Sequence, residues 1–172
     1  MALVEALCIS RKKGTVKKSV SRAEFLPDWG IVGDAHAGQG HRQVSLLSGE
    51  SVDGVRQQIP QLRPGAFAEN VVTRGFRLAD VRIGDRIRLG ESVVLEVTQI
   101  GKECHTACAI KRLTGDCIMP REGIFARVVR GGTVRPGDPV EICSALEAGK
   151  AGPVAAQTFS ARAGETGRNR AG

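Results

Sequence analysis

Glycine and proline cut this chain into short apolar pieces. The 22 glycines and 7 prolines are spread through 172 residues, so few stretches keep the 3.6-residue apolar repeat of an amphipathic helix for long. Short apolar or alternating runs bounded by Gly, Pro, Asp or Asn recur instead, and such runs read as strands. The candidates are residues 2–9, 16–25, 43–47, 66–72, 86–89, 93–99, 124–129 and 139–142. One helix stands out: Ser48 can cap the free amides of Glu50 and Ser51, and the segment runs through Val52, Val55 and Gln58 as far as Pro60. The expected fold is mainly β, with one or two short helices. Closure into a barrel, complete or nearly so, is the economical way for many short strands to avoid exposed edges, and a sandwich is the next arrangement.

An internal echo supports this reading. Residues 80–87, DVRIGDRI, resemble residues 133–140, TVRPGDPV. Each reads as a strand, a tight Gly-Asp turn and another strand, with the glycine at positive φ and the Asp bonding nearby backbone amides.

Residues 1–145 suffice for one domain, with 41% hydrophobic residues in the whole chain and about two thirds of the unfolded surface buried at this length. From residue 146 the composition turns to Ala, Gly, Thr, Ser and Arg, with Phe159 as the last large apolar side chain. Residues 146–172 are therefore expected to form a flexible tail. The net charge of +7 and pI near 9.6 favour anionic partners. Aromatics amount to 3%, with Trp29 the one tryptophan and no tyrosine, which argues against stacking-based nucleic-acid binding. No apolar run approaches the roughly 18 residues of a membrane span, and residues 1–10 carry Glu5 and no basic region before an apolar core, so a cytoplasmic location without membrane contact is expected. Five cysteines are an odd number without a leader, which disfavours a disulfide framework.

Four constellations carry possible chemistry. Cys104, His105 and Cys108 follow the strand at 93–99, with Cys117 further on and Lys102 two residues before Cys104. A nearby ammonium lowers a thiol pKa, and a thiolate attacks electrophiles or ligates soft metals. The same four residues could complete a Cys3His zinc site in a zinc-stabilised β module, although their spacing lacks paired C-x2-C knuckles; Cys108 and Cys117 also suit small buried hydrophobes. Second, Arg11, Lys12, Lys13 and Gly14, then Lys17 and Lys18, form a loop fit to hold a phosphate or, equally, a solvated hairpin tip. Third, Gly33, Asp34 and His36, then His41, Arg42 and Gln43, crowd polar groups between strands. Fourth, Glu69, Asn70 and Thr73 lie along an apolar run in which Asn70, if buried, must bond backbone or ligand.

Taken in order, residues 30–36, the R-Q-V-S-L that begins at Arg42, A-E-N-V-V-T-R-G ending at Gly75, V-R-I-G-D ending at Asp85, a strand ending in Thr98 and Gln99 with Cys104 five residues on, and the segments at 123–129 and 131–138 resemble the MOSC domain, named for the C-terminal domain of molybdenum cofactor sulfurases. The resemblance covers roughly residues 2–143 and is nearest to the stand-alone bacterial type. It implies a β, barrel-like fold that binds the molybdenum cofactor (molybdopterin), with a cysteine that ligates molybdenum or carries sulfur. Cys104 best matches that cysteine, with Cys108 the competitor; Asn70 and Thr73 match a strand facing the cofactor; and Lys12, Lys13 and Arg42, with His36 beside them, would meet the anionic pterin phosphate. The implied activities are sulfur transfer or reduction of N-hydroxylated compounds, with a non-catalytic cofactor carrier as the alternative. A molybdoenzyme or cofactor-biosynthesis protein would be the partner. Pyridoxal phosphate, the cofactor of the sulfurases' other domain, is not expected in this chain, which shows no evident Lys-centred motif for it.

Overall fold

The structure, a computed structural model, describes residues 1–103 and 109–143. Cys104, His105, Cys108 and the expected tail lie outside them. Among the described residues the chain forms β1 (Leu3–Ile9), β2 (Lys18–Val20), β3 (Ala23–Leu26), β4 (Gly30–Ile31), β5 (Val44–Ser48), α1 (Gly49–Arg56), β6 (Val71–Arg74), β7 (Arg86–Leu89), β8 (Val93–Ile100), α2 (Ala109–Thr114), α3 (Met119–Glu122), β9 (Ile124–Arg130), β10 (Gly132–Val134) and β11 (Val140–Cys143). The fold is mainly β, as expected. It has three short helices where one or two were expected, because the glycine-bounded segments at 109–114 and 119–122 each make a turn or two too short to show a repeat.

The main sheet runs β11-β7-β8-β9-β5-β6-β1-β2, and a small one runs β10-β3-β4. Only the β5–β6 pair is parallel among these ladders; its crossover carries α1, which Ser48 caps by accepting the Ser51 amide at 3.4 Å. The sheets do not close into a barrel. The cause lies in β1, whose last three residues pair with β2 while its length pairs with β6. Only its first residues are left to meet the other end, which they do through Val4 N–H to Asp138 O at 2.8 Å, Gly137 N–H to Val4 O at 2.7 Å, Val140 N–H to Ala2 O at 3.0 Å and a single bridge of Leu3 with Pro139.

The alternating pattern of β7 and β8 puts Ile87, Leu89, Val93, Leu95 and Val97 into one core with Leu7, Phe25, Leu46 and Val71. A second core under the helices gathers Leu47, Val52, Ile110, Cys117, Met119 and Phe125, so Cys117 is a buried apolar residue there.

Two expected strands are corrected. Residues 16–25 split into β2 and β3, which join different sheets. Residues 66–69 form a turn: Ala68 sits at φ +63°, and the buried Glu69 carboxylate accepts the amides of Gly65 and Phe67. A carboxylate that satisfies two turn amides outcompetes pairing in a ladder. The Gly-Asp echo holds at its turns. Gly84 and Gly137 lie at φ +93° and +95°, and Asp85 and Asp138 each accept the amide three residues back, at 2.8 Å. Its first arm differs, since Leu78–Asp80 form a 3-10 turn rather than a strand.

Candidate functional site

Four connections meet at one end of the sheet around a cleft of about 420 Å³. Lys13 and Gly14 come from the β1–β2 turn, residues 36–43 from the β4–β5 loop, Phe67, Ala68 and Asn70 from the turn before β6, and Lys102 from the chain leaving β8; Met119 and Phe125 supply an apolar wall. The cleft therefore brings together Lys13, His36, Arg42 and Asn70 of the expected residues. It leaves out two. Lys12 points into a separate groove with Arg11, Val16 and Lys18. Thr73 is fully buried within β6, and its hydroxyl has no hydrogen-bond partner among the described residues.

The charge is one-sided. Lys13, Arg42 and Lys102 line the cleft with no Asp or Glu among the described lining residues, and no ion pair ties any of the three to a described carboxylate. The Arg42 guanidinium lies over the Phe125 ring at 5.9 Å, a contact that orients it without neutralising it. On the rim, Gly38 and Gly40 hold φ +143° and +149°, with nothing within 4 Å of where a Cβ would stand. The backbone there is open to a ligand.

Polar side chains that the sequence presented as recognition groups instead build the walls. Asn70 is 1% exposed. Its amide donates to Cys8 O at 3.0 Å, and its carbonyl oxygen accepts Ser45 N–H and Oγ–H at 3.1 and 3.2 Å, stapling β1 to β5. Gln43 does the same for the loop, donating to Gly38 O and accepting the Val128 amide. The strand end at Gln99 bonds His41 Nε2 at 3.1 Å.

Beneath the cleft lies a group that sequence reasoning missed. Lys17, read as part of the basic tip, is 2% exposed. Its ammonium meets Asp34 Oδ1 at 2.5 Å, His36 Nδ1 at 3.1 Å and Ser10 Oγ at 3.4 Å. Asp34 also accepts the amides of Ser10 and His36, each at 3.0 Å. Burial opposes ionisation of Asp34, but the Lys17 ammonium at 2.5 Å and the two backbone amides outweigh it and hold its carboxyl well below the usual range. Nothing in the local sequence distinguishes Lys17 from its neighbours; Asp34 after Gly33 was the one available signal.

Of the cysteines, Cys8 is buried and its thiol is pushed up to about 11 by burial, which removes it as a ready nucleophile. Cys143, at the end of β11, is partly exposed and distant in sequence from the cleft segments. Among the described residues no group of three His, Cys, Asp or Glu side chains could hold a metal ion.

The MOSC domain family matches residues 33–141. The chain belongs to the MOSC domain family. A curated relative, a reductase from Gibberella moniliformis, is 31% identical over 135 residues, which are 69% of this chain and 23% of that protein; the chain thus spans about a quarter of the relative. Among solved structures, the YuaD protein from Bacillus subtilis superposes with a TM-score of 0.69 at 23% identity, covering 83% of this chain and 96% of that one. YiiM from Geobacillus stearothermophilus follows with a TM-score of 0.60 at 16% identity, over 84% and 76% of the two chains. These likenesses fix this MOSC domain's fold. No helix among the described residues is long and apolar enough to cross a membrane.

Proposed function

We propose that the cleft binds the anionic, pterin-based molybdenum cofactor, and that Cys104 supplies the thiolate that ligates molybdenum or carries sulfur. One observation carries the reading: a cleft in which three cations converge with no carboxylate partner among the described residues. Lys13, Arg42 and Lys102 would neutralise the phosphate, and the open backbone at Gly38 and Gly40 would let it approach the amides. This chemistry fits the anionic part of the group. For the metal, the described residues offer no ligand cluster, so the proposal places that role on Cys104, two residues along the chain from Lys102, with Cys108 as competitor. When bound, the cofactor would supply a molybdenum centre for atom transfer. The residues around it position, neutralise and exclude water. The reductase named among the relatives favours a reductive activity over sulfur transfer; reduction of N-hydroxylated substrates is the form of it that we propose.

The test is purification from molybdenum-supplied cells, with molybdenum and pterin fluorescence measured on the full chain and on Cys104→Ser and Cys108→Ser separately. Stoichiometric molybdenum with pterin, lost in Cys104→Ser alone, is the expected result. Zinc in place of molybdenum overturns the reading, and loss in Cys108→Ser alone moves the role to that residue.

A further inference from the structure

The contact between Lys17 and His36 restricts where the proton on His36 can sit. Nδ1 stands 3.1 Å from the Lys17 ammonium and 3.5 Å from Asp34 Oδ2. An ammonium only donates, so a proton on Nδ1 would put two donors face to face. The Lys17 ammonium has the Asp34 carboxylate at 2.5 Å and Ser10 Oγ at 3.4 Å as acceptors, which leaves its third N–H to face Nδ1. The alternative bond from Nδ1–H to Asp34 Oδ2 is the longer of the two, at 3.5 Å. Nδ1 therefore accepts, the ring is neutral, and its one proton is on Nε2. That edge is turned away from the buried ammonium, on a ring that is 34% exposed and lines the cleft.

We infer that Lys17 and Asp34 are positioning residues that lock His36 as the neutral Nε2–H tautomer, giving the cleft one fixed, uncharged hydrogen-bond donor for an oxyanion or carbonyl edge of its ligand. Lys13 and Lys102 contribute charge on long flexible stems, which attracts an anion but does not orient it. A donor held by a buried ion pair has a direction. The tautomer does not depend on what the cleft binds; the use made of the donor rests on the anion-binding reading above.

The first test is the 15N spectrum of the imidazoles in the full chain near neutral pH, with His36 assigned by comparison with His36→Gln. The expected pattern is an unprotonated Nδ1 and a protonated Nε2. A protonated Nδ1, or an imidazolium, overturns the lock. In Lys17→Met the two tautomers should mix, and where that variant does not fold, Lys17→Arg, which still donates to Nδ1, should keep the wild-type pattern. A wild-type pattern in a folded Lys17→Met overturns the role of Lys17. The second test titrates inorganic phosphate into wild type, His36→Leu and His36→Gln. His36→Leu should bind about tenfold more weakly, and His36→Gln, whose amide N–H stands near the place of Nε2, should recover most of that loss. Equal affinity in wild type and His36→Leu overturns the use of the donor. Absence of phosphate binding in wild type sinks the anion-site reading and leaves the tautomer result standing on its spectrum.

Discussion

Cations are used in opposite ways at the cleft and at the corner where α1 meets β6. At that corner Arg74 bonds Glu5 and Asp53, each at 2.7 Å, and Asp53 also pairs with Arg56; the glycine that starts α1 leaves no room for a Cβ beside these groups. Every charge there has its opposite. At the cleft Lys13, Arg42 and Lys102 have none among the described carboxylates, and the buried Asp34 is committed to Lys17. Charges that serve the fold arrive in pairs; charges that serve a ligand wait for the ligand to complete them.

The comparison breaks most visibly at its boundary. Asp34→Ala removes the partner of a fully buried ammonium and should destabilise by about 3–5 kcal/mol in denaturant unfolding. The wild-type protein should show the same linkage with pH. The Asp34 pKa is lowered on folding, so its contribution is present above the unfolded value of about 3.9 and is lost as pH falls below that towards the folded value. Unfolding midpoints measured from pH 6 downwards should fall, and more steeply than in Asp34→Ala.

Asn70→Ala comes next, at about 1–3 kcal/mol, because it strands Cys8 O and the Ser45 amide in a buried wall. The loss should be the same with and without ligand; a loss confined to ligand-bound protein would return Asn70 to a recognition role. The double variant Lys13→Ala, Arg42→Ala should leave stability within about 0.5 kcal/mol, while phosphate affinity falls about tenfold and its salt dependence flattens. Isothermal titration at two ionic strengths reads both. Arg74→Gln should do the reverse, costing at most about 1 kcal/mol of stability because its partners are partly solvated, with phosphate affinity unmoved. Smallest of all, Lys12→Ala should change neither quantity, since its side chain lines the other groove.

Much of this was legible beforehand. β1, β5, β7, β8, β9 and β11 followed from apolar runs between turn residues, and the Asp85 and Asp138 turns followed from their repeated Gly-Asp. The strands β4 and β10 were invisible because two or three residues carry no period, and their pairing with β3 is decided by contacts distant in sequence. The turn at 66–69 misled because its conformation depends on an alanine at positive φ and on a buried carboxylate, neither of which propensity favours. In the cleft, Lys13, His36 and Arg42 were read from loop chemistry. Lys17 was not, since a buried lysine and an exposed one look alike until Asp34 is brought beside it.

The meeting of β1 with residues 137–140 bears on how the protein is made. The backbone bonds that join Ala2 and Val4 to residues 137–140 close the longest loop among the described strands, so β1 has part of its edge satisfied only after nearly all the other described strands exist. Contacts so far apart in sequence form late and slowly. Until they do, the free amide and carbonyl of Val4 present an open template to any passing strand. Crowded synthesis at high expression should therefore tax this fold at its first strand, well before any weakness in its core is felt.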